Sequence, residues 1–123
     1  MCSERVILYQ TIFIPTVRLV GGETKFEGRV EILYMHDRGW GTVCNRGSFT
    51  TPAARVVCAQ LGFSGGELRD DAYFGKRFVE PIALRKVICS GDEKELSECA
   101  HADRRKRGTC RHSMDVGVVC GKK

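Results

Sequence analysis

The densest group of residues able to do chemistry is a run of four cations followed closely by a fifth: Arg104, Arg105, Lys106, Arg107 and Arg111. Like charges this close repel one another and stay hydrated, so the run is predicted to be exposed. Arginine forks pair bidentately with sulfate, phosphate or carboxylate, and the run therefore predicts a polyanion contact. Two alternatives stay open. One is a solvated loop whose charge only aids solubility, and the other is a processing site, because R-R-K-R before Gly108 has the form of a proprotein-convertase sequence.

Seven cysteines are the second chemical feature of the chain, at positions 2, 44, 58, 89, 99, 110 and 120. Six of them fall within one small domain and Cys2 lies outside it, which favours a disulfide framework and an oxidising compartment. Sequence alone does not choose among the possible pairings. The alternative is an intracellular zinc site built from Cys99, His101, Cys110 and His112, but these ligand pairs are closer in sequence than zinc sites commonly have them.

The chain contains no recognisable catalytic constellation. None of its three histidines lies in a nucleophile-elbow context. Asp70 and Asp71 are adjacent in sequence, and adjacent carboxylates do not make an acid–base pair. The glycines after the predicted helix lack the strand-before, helix-after context of a phosphate loop. The sequence therefore predicts a binding module that is not an enzyme and carries no cofactor or metal.

Charge and composition narrow the possible partners. A net charge of +5 favours acidic partners such as polyanions or an acidic protein surface. Aromatic residues are not interleaved with the basic run, which argues against specific nucleic-acid recognition. No stretch is long and apolar enough to span a membrane. Asn45, the only asparagine, is not in an N-glycosylation sequon.

One stretch, from Trp40 to Leu61, organises the elements that must position these residues. It reads as a strand end, a polar turn and a short helix, with Thr50 or Thr51 as the N-terminal cap and Pro52 at the first helical position. Gly62 lies just after the predicted helix, at the position where a glycine in the left-handed conformation commonly ends a helix. The apolar face recurs at helical spacing and comprises Ala53, Val56, Val57 and Leu61.

The rest of the chain alternates short strands with loops. Strands are predicted at 17–20, 28–34, 40–44, 81–89 and 116–120, a helical turn at 92–99, and surface loops at 64–78 and 100–112. Short strands with limited helix predict an α+β domain. The domain is expected to span 17–120, after an extension at 1–16 that is either a fragment start, a tag, an extra strand or a weak signal-like segment, and before a tail at 121–123.

Several of these segments, in order, resemble the scavenger receptor cysteine-rich domain. The motifs are V-R-L-V-G-G and G-R-V-E-I within 17–32, W-G-T-V-C with A-R-V-V-C-A-Q-L-G, C-S-G-D-E-K-E-L-S-E-C at 89–99, and D-V-G-V-V-C at 115–120. The resemblance implies a small disulfide-bonded α+β fold, in which a curved antiparallel sheet wraps around one short helix. It also implies an extracellular location, in a secreted protein or a receptor ectodomain.

The resemblance further implies three disulfides, which are Cys44–Cys110, Cys58–Cys120 and Cys89–Cys99. Some members carry a fourth bridge. Here Phe26 and Phe63 stand at those two positions, which is consistent with the six-cysteine type of the family, group A. Two facing phenylalanines are expected to fill that space with apolar area instead.

The chain departs from the family where acids are common. Many members bind a cation through two aspartates just after the W-G-T-V-C cysteine and a glutamate before the last strand. Here the first two positions are Asn45 and Arg46, and the late segment is H-S-M-D at 112–115. An arginine supplies no oxygen ligand to calcium. Leucine-aspartate-aspartate before the third domain cysteine is replaced by Leu84-Arg85-Lys86.

These departures predict that fixed cations replace a calcium-bridged contact, through Arg46, Arg85, Lys86, Arg107 and Arg111. The expected ligands are sulfated glycans, microbial surface polymers, modified lipoproteins or acidic protein surfaces. The alternative is a structural or protein-interaction module of a larger modular protein, because similar domains accompany lysyl-oxidase-like enzymes, trypsin-like proteases and collagenous receptors.

Overall fold

The computed structural model describes residues 16–35, 39–75, 81–102 and 110–122. The predicted N-terminal extension (apart from residue 16) and the basic run at 104–107 lie outside these residues. The described part contains six strands, which are β1 Val17–Gly21, β2 Glu27–Met35, β3 Gly39–Cys44, β4 Ser64–Arg69, β5 Ile82–Arg85 and β6 Gly117–Gly121. One α-helix, α1, spans Thr51–Gln60, and short 3-10 turns lie at Leu96–Glu98 and His112–Met114.

The six strands form one sheet in the order β4-β6-β2-β3-β5, and β1 pairs with β2. Strand β2 is central because it pairs antiparallel with three others, β1, β3 and β6. The predicted α+β class, a small disulfide-bonded domain with a sheet and a single helix, is confirmed. The sheet is not antiparallel throughout, however, since β3 and β5 run parallel.

The 64–78 segment was expected to be a loop, and this expectation is wrong for its first part, which forms β4. Gly65 and Gly66 gave the segment its loop-like composition. A Cβ added to Gly66 would lie 2.7 Å from the backbone of Ala54 and Arg55 on α1. The glycine therefore serves the close approach of a strand to the helix, a role that glycine has within sheets. The strand expected at 81–89 is also shorter than predicted, and ends at Arg85.

Helix α1 begins and ends largely as its sequence predicts. Pro52 lies in the first turn, but the expected hydroxyl cap is wrong, because Thr50 occupies the N-cap position without a side-chain hydrogen bond. At the other end Gly62 has a φ of +83°. Its N–H donates to the Ala59 carbonyl at 3.0 Å, and the Phe63 N–H donates to the Cys58 carbonyl at 2.8 Å. This pair of bonds is the Schellman arrangement that a glycine after a helix permits.

Three disulfides hold the helix and the loops onto the sheet. They are Cys44–Cys110, Cys58–Cys120 and Cys89–Cys99, the same three pairs that the family resemblance implies. The first two close loops of 66 and 62 residues, and in the chain-entropy model each stabilises the fold by about 4 kcal/mol. Because Cys99 and Cys110 are both in disulfides, the alternative zinc site is wrong.

An aromatic pair belongs to the segments that are hydrogen-bonded to the two cysteines of the disulfide between α1 and β6. The ring centroids of Phe26 and Phe63 are 4.8 Å apart, with the planes tilted by 59°. Both residues are tied to this disulfide, because the Phe63 N–H binds the carbonyl of Cys58 and the Cys120 N–H binds that of Phe26 at 2.7 Å. The two phenylalanines face each other as expected, and they supply apolar contact beside the disulfide.

The core lies between the sheet and α1. Its buried side chains come from every layer, including Val30 of β2, Val43 of β3, Val56 and Val57 of α1, and Val118 of β6. No helix in the described ranges has the length and apolarity needed to cross a membrane.

We expect Gly66→Ala to destabilise the domain by about 2 kcal/mol more than Gly65→Ala, because the new methyl must displace helix backbone. Gly65 is the matched control. It also has a positive φ, of +67°, but an added Cβ would meet only one atom, at 3.9 Å. Urea unfolding of the two variants measures the difference. Equal losses of stability would contradict the close packing of β4 on α1.

Candidate anion-binding site

One corner of the sheet collects four of the predicted cations. Strands β3 and β5 end side by side, with Cys44 paired in register with Arg85. The disulfide from Cys44 to Cys110 brings in the segment that continues with Arg111. We call this region the basic corner, and its cations are Arg46, Arg85, Lys86 and Arg111. Of these Arg46, Lys86 and Arg111 are exposed and Arg85 is half-buried.

The loop that presents Arg46 is shaped by the side chain of Asn45. The Asn45 Oδ1 accepts from the backbone N–H groups of Gly47 at 2.7 Å and Phe49 at 3.0 Å. Its Nδ2 donates to the Phe49 carbonyl at 3.1 Å and to Asp70 Oδ2 at 3.0 Å. Because Phe49 is anchored in the core with 1% exposure, this amide fixes the loop on both sides of Arg46. Asparagine folds turns in this way.

The segment that presents Lys86 alternates between exposed and buried side chains. Val87 and Cys89 are buried, whereas Lys86 and Ile88 are exposed, so the latter two project on the same outer side. Lys86 has a φ of +54°, a left-handed conformation that is strained for a residue with a Cβ. Ile88 is held by two backbone hydrogen bonds with Ala100, at 2.8 and 3.1 Å.

Both segments contribute to one open groove of about 590 Å³, which is lined by Arg46, Gly47, Ser48, Lys86 and Ile88. No carboxylate among the described residues lies within ion-pair distance of Arg46 or Lys86. The Ser48 hydroxyl oxygen is buried and has no hydrogen-bond partner among the described residues, so it is not open to the groove. The groove therefore offers two cations that no described carboxylate neutralises.

The oxygens left at the family's cation positions are committed inside the protein. Asp115 is 1% exposed, and its Oδ2 lies 2.9 Å from His112 Nδ1. Burial raises the pKa of the Asp115 carboxyl, an effect opposed by hydrogen bonds from Thr42 and His112. The Asn45 carbonyl oxygen already accepts two backbone hydrogen bonds. Neither group presents a free oxygen toward the groove.

The structure thus brings Arg46 and Lys86 together in the groove and places Arg85 and Arg111 at the same corner. The remaining predicted cations, at 104–107, lie outside the described residues. The described residues that flank them are anchored at this corner, because the Ala102 N–H donates to the Arg85 carbonyl at 3.0 Å and Cys110 is bonded to Cys44.

Sequence reasoning missed three lining residues, Gly47, Ser48 and Ile88. A signal for Ile88 was present, because K-V-I-C at 86–89 alternates in a way that places an isoleucine on the side of Lys86. No sequence signal marks Ser48, since its buried position depends on the fold of the Asn45 loop.

The structure is thus a disulfide-bonded sheet around one helix, with an open groove lined by two cations at one corner. The sequence profile of the scavenger receptor cysteine-rich (SRCR) domain matches residues 20–121. The chain therefore belongs to the SRCR family, a family of ligand-binding modules that includes domains of scavenger receptors.

Related proteins agree with this assignment. Macrophage scavenger receptor types I and II of Bos taurus is 43% identical over 106 residues, which are 85% of this chain and 22% of that protein. An SRCR domain superfamily protein of Patiria pectinifera is 38% identical over 105 residues, which are 85% of this chain and 9% of that protein. The chain thus spans only a small part of the curated relatives that it matches.

Two crystal structures share the fold. The third SRCR domain of murine neurotrypsin superposes with a TM-score of 0.75 at 44% identity, covering 87% of this chain and 96% of that domain. The dimeric form of the SRCR domain of mouse MARCO gives a TM-score of 0.65 at 25% identity, covering 94% of this chain and 98% of that one.

We expect Lys86→Gly to be more stable than Lys86→Ala by about 1 kcal/mol, because only glycine adopts a positive φ without a Cβ penalty. The measurement is urea unfolding of both variants and of the parent chain. Val87→Ala, at the buried neighbour, controls for general sensitivity of the segment. An alanine variant at least as stable as the glycine variant would contradict the strained conformation of Lys86.

Proposed function

We propose that this domain is an extracellular module that binds polyanionic or acidic ligands at the basic corner, without a calcium bridge. The observation that carries the proposal is the pair of exposed cations, Arg46 and Lys86, which line one groove and have no carboxylate partner among the described residues. The ligand class comprises sulfated glycans, microbial surface polymers, modified lipoproteins and acidic protein surfaces.

The two cations have different roles in such a contact. Arg46 offers a planar fork that fits a sulfate or carboxylate with two parallel hydrogen bonds, whereas Lys86 acts as a compact point charge. Both are exposed, so salt screens them over about 10 Å at 0.1 M ionic strength. Binding is therefore expected to weaken steeply as salt rises.

We infer a binding role rather than a catalytic one from the lining of the groove. The described lining residues include no histidine, no free thiol and no carboxylate, which are the groups that most often transfer protons or attack substrates. In the related scavenger receptors, too, SRCR domains are receptor modules.

A second candidate function is a protein-interaction module within a larger protein. The specific observation in its favour is that the murine neurotrypsin match is the third SRCR domain of its parent, and that the chain covers 22% or less of the two related proteins. Protein-specific docking would bury apolar area and would be less sensitive to salt than polyanion binding.

We expect the double substitution Arg46→Gln with Lys86→Gln to lower heparin affinity and to flatten its salt dependence. The slope of log K against log salt should fall by roughly one unit for each lost contact. Fluorescence titration of heparin over a salt series gives both quantities. The matched control is Arg55→Gln with Lys94→Gln, which removes two exposed cations outside the groove.

The same titration separates the groove from the basic run. Replacing Arg104, Arg105, Lys106 and Arg107 by Ala together is expected to reduce heparin affinity sharply. If this replacement abolishes binding and the double groove substitution changes nothing, the run is the site and the groove is not. If the Arg55→Gln with Lys94→Gln control weakens heparin binding as much as the groove variant does, net charge alone accounts for the affinity.

Calcium should change neither heparin affinity nor thermal stability. A hard cation needs several oxygen ligands, and the Asp115 and Asn45 oxygens are occupied by internal hydrogen bonds. The measurement compares melting temperature and heparin titration in excess EDTA and in excess calcium chloride, with magnesium chloride as the ionic-strength control. A calcium-specific rise in either quantity would refute direct contact by fixed cations.

A further inference from the structure

The groove has an apolar wall as well as its cations. Ile88 is 59% exposed and is one of two large hydrophobic residues among those described that are so open to solvent, the other being Tyr73 at 66%. It lies on the same outer side as Lys86 and lines the groove together with Arg46. The groove therefore combines two cations with one exposed aliphatic side chain.

The backbone of Ile88 is fixed by its neighbours. Its backbone exchanges two hydrogen bonds with Ala100, and the next residue, Cys89, is bonded to Cys99. A β-branched side chain on a fixed backbone has few rotamers left to lose. Covering it with a ligand group therefore costs little ordering entropy, which is the condition for an apolar contact to add affinity.

A groove that combines two cations with an exposed Ile88 favours anionic ligands that also carry an apolar group. A polysulfated chain is strongly hydrated and gains little from apolar surface placed between its binding cations. A peptide with an aliphatic side chain beside its carboxylates can pair with both cations and cover Ile88 at once.

We propose that the groove lined by Arg46, Lys86 and Ile88 binds an acidic peptide segment of a protein partner, with an aliphatic residue of that segment packed on Ile88. The proposal rests on the proposed anion-binding function and narrows its ligand to a protein. Arg46 and Lys86 pair with carboxylates on either side of the aliphatic residue, and Gly47 leaves room for the peptide backbone, since an added Cβ there would meet no atom within 4 Å.

The test uses two fluorescent peptides with the whole chain. In the first a leucine is flanked by two glutamates between glycine–serine spacers, and in the second serine replaces the leucine. Fluorescence anisotropy should give roughly five- to tenfold tighter binding of the leucine peptide, the gain expected for burying part of an aliphatic side chain. Ile88→Ser should reduce this preference to nearly none, and Ile88→Val should keep most of it.

Tyr73→Ser is the matched control, because it removes the other exposed large hydrophobic residue and should leave the leucine preference intact. Equal affinity of the chain for the two peptides, or no binding of either, would overturn the proposal. A leucine preference that persists in Ile88→Ser would place the apolar contact elsewhere and would also overturn it.

The proposed function is tested separately by the charge variants. If the peptides show no leucine preference but heparin binding still depends on Arg46 and Lys86, the anion site stands and the peptide assignment fails. If neither heparin nor either peptide depends on these two cations, both proposals fail.

Discussion

The disulfide between Cys44 and Cys110 joins the two segments on which both the sheet and the basic corner depend. Around it, the Asn45 N–H binds the Met114 carbonyl and the Val116 N–H binds that of Val43. These contacts lead the chain into β6, which pairs with β2 and β4 and carries Cys120 to the helix. Because the bridge closes a loop of 66 residues, it removes much of the entropy that a small core alone would have to overcome. The same cross-link brings the segment of Arg111 to the end of β3, where Arg46 and Arg85 lie.

The described charges inside the fold have ion-pair partners, whereas Arg46 and Lys86 at the basic corner have no described carboxylate partner. On β2, Glu31 is fully buried and is paired with Arg29 at 3.0 Å and with Arg18 at 2.7 Å. Arg29 also donates from its Nη1 to the carbonyls of Phe74 and Gly75. A buried charge without such partners would be strongly destabilising. At the groove, Arg46 and Lys86 are exposed and have no carboxylate partner among the described residues. Solvent tolerates such cations, but they do not stabilise the fold.

Local patterns predicted those features of the structure that depend on neighbouring residues. Gly62 ends the helix as its position indicates, and the cysteine order carries the pairs that the family resemblance implies. Two of the wrong predictions concern features that depend on distant parts of the chain. The role of Gly66 is visible only when β4 lies against α1, and the parallel pairing of β3 with β5 joins segments about 40 residues apart. The third is local, because Thr50 occupies the N-cap position but its hydroxyl makes no capping hydrogen bond. For the site, residue type identified Arg46 and Lys86. Their shared groove follows from the register of β3 and β5, which composition does not encode.

Asn45 links the loss of a cation site to the presentation of fixed charge. An aspartate at this position could accept the N–H groups of Gly47 and Phe49, as Asn45 Oδ1 does. It could not donate to the Phe49 carbonyl, and it would repel Asp70, toward which the amide now donates at 3.0 Å. A carboxylate there would therefore need a cation to hold the same loop. The amide of Asn45 satisfies the loop by hydrogen bonds within the protein, and the next residue in that loop is the exposed Arg46. One side chain thus fixes the backbone on both sides of a cation of the proposed site, so the position of that cation depends on the amide at residue 45.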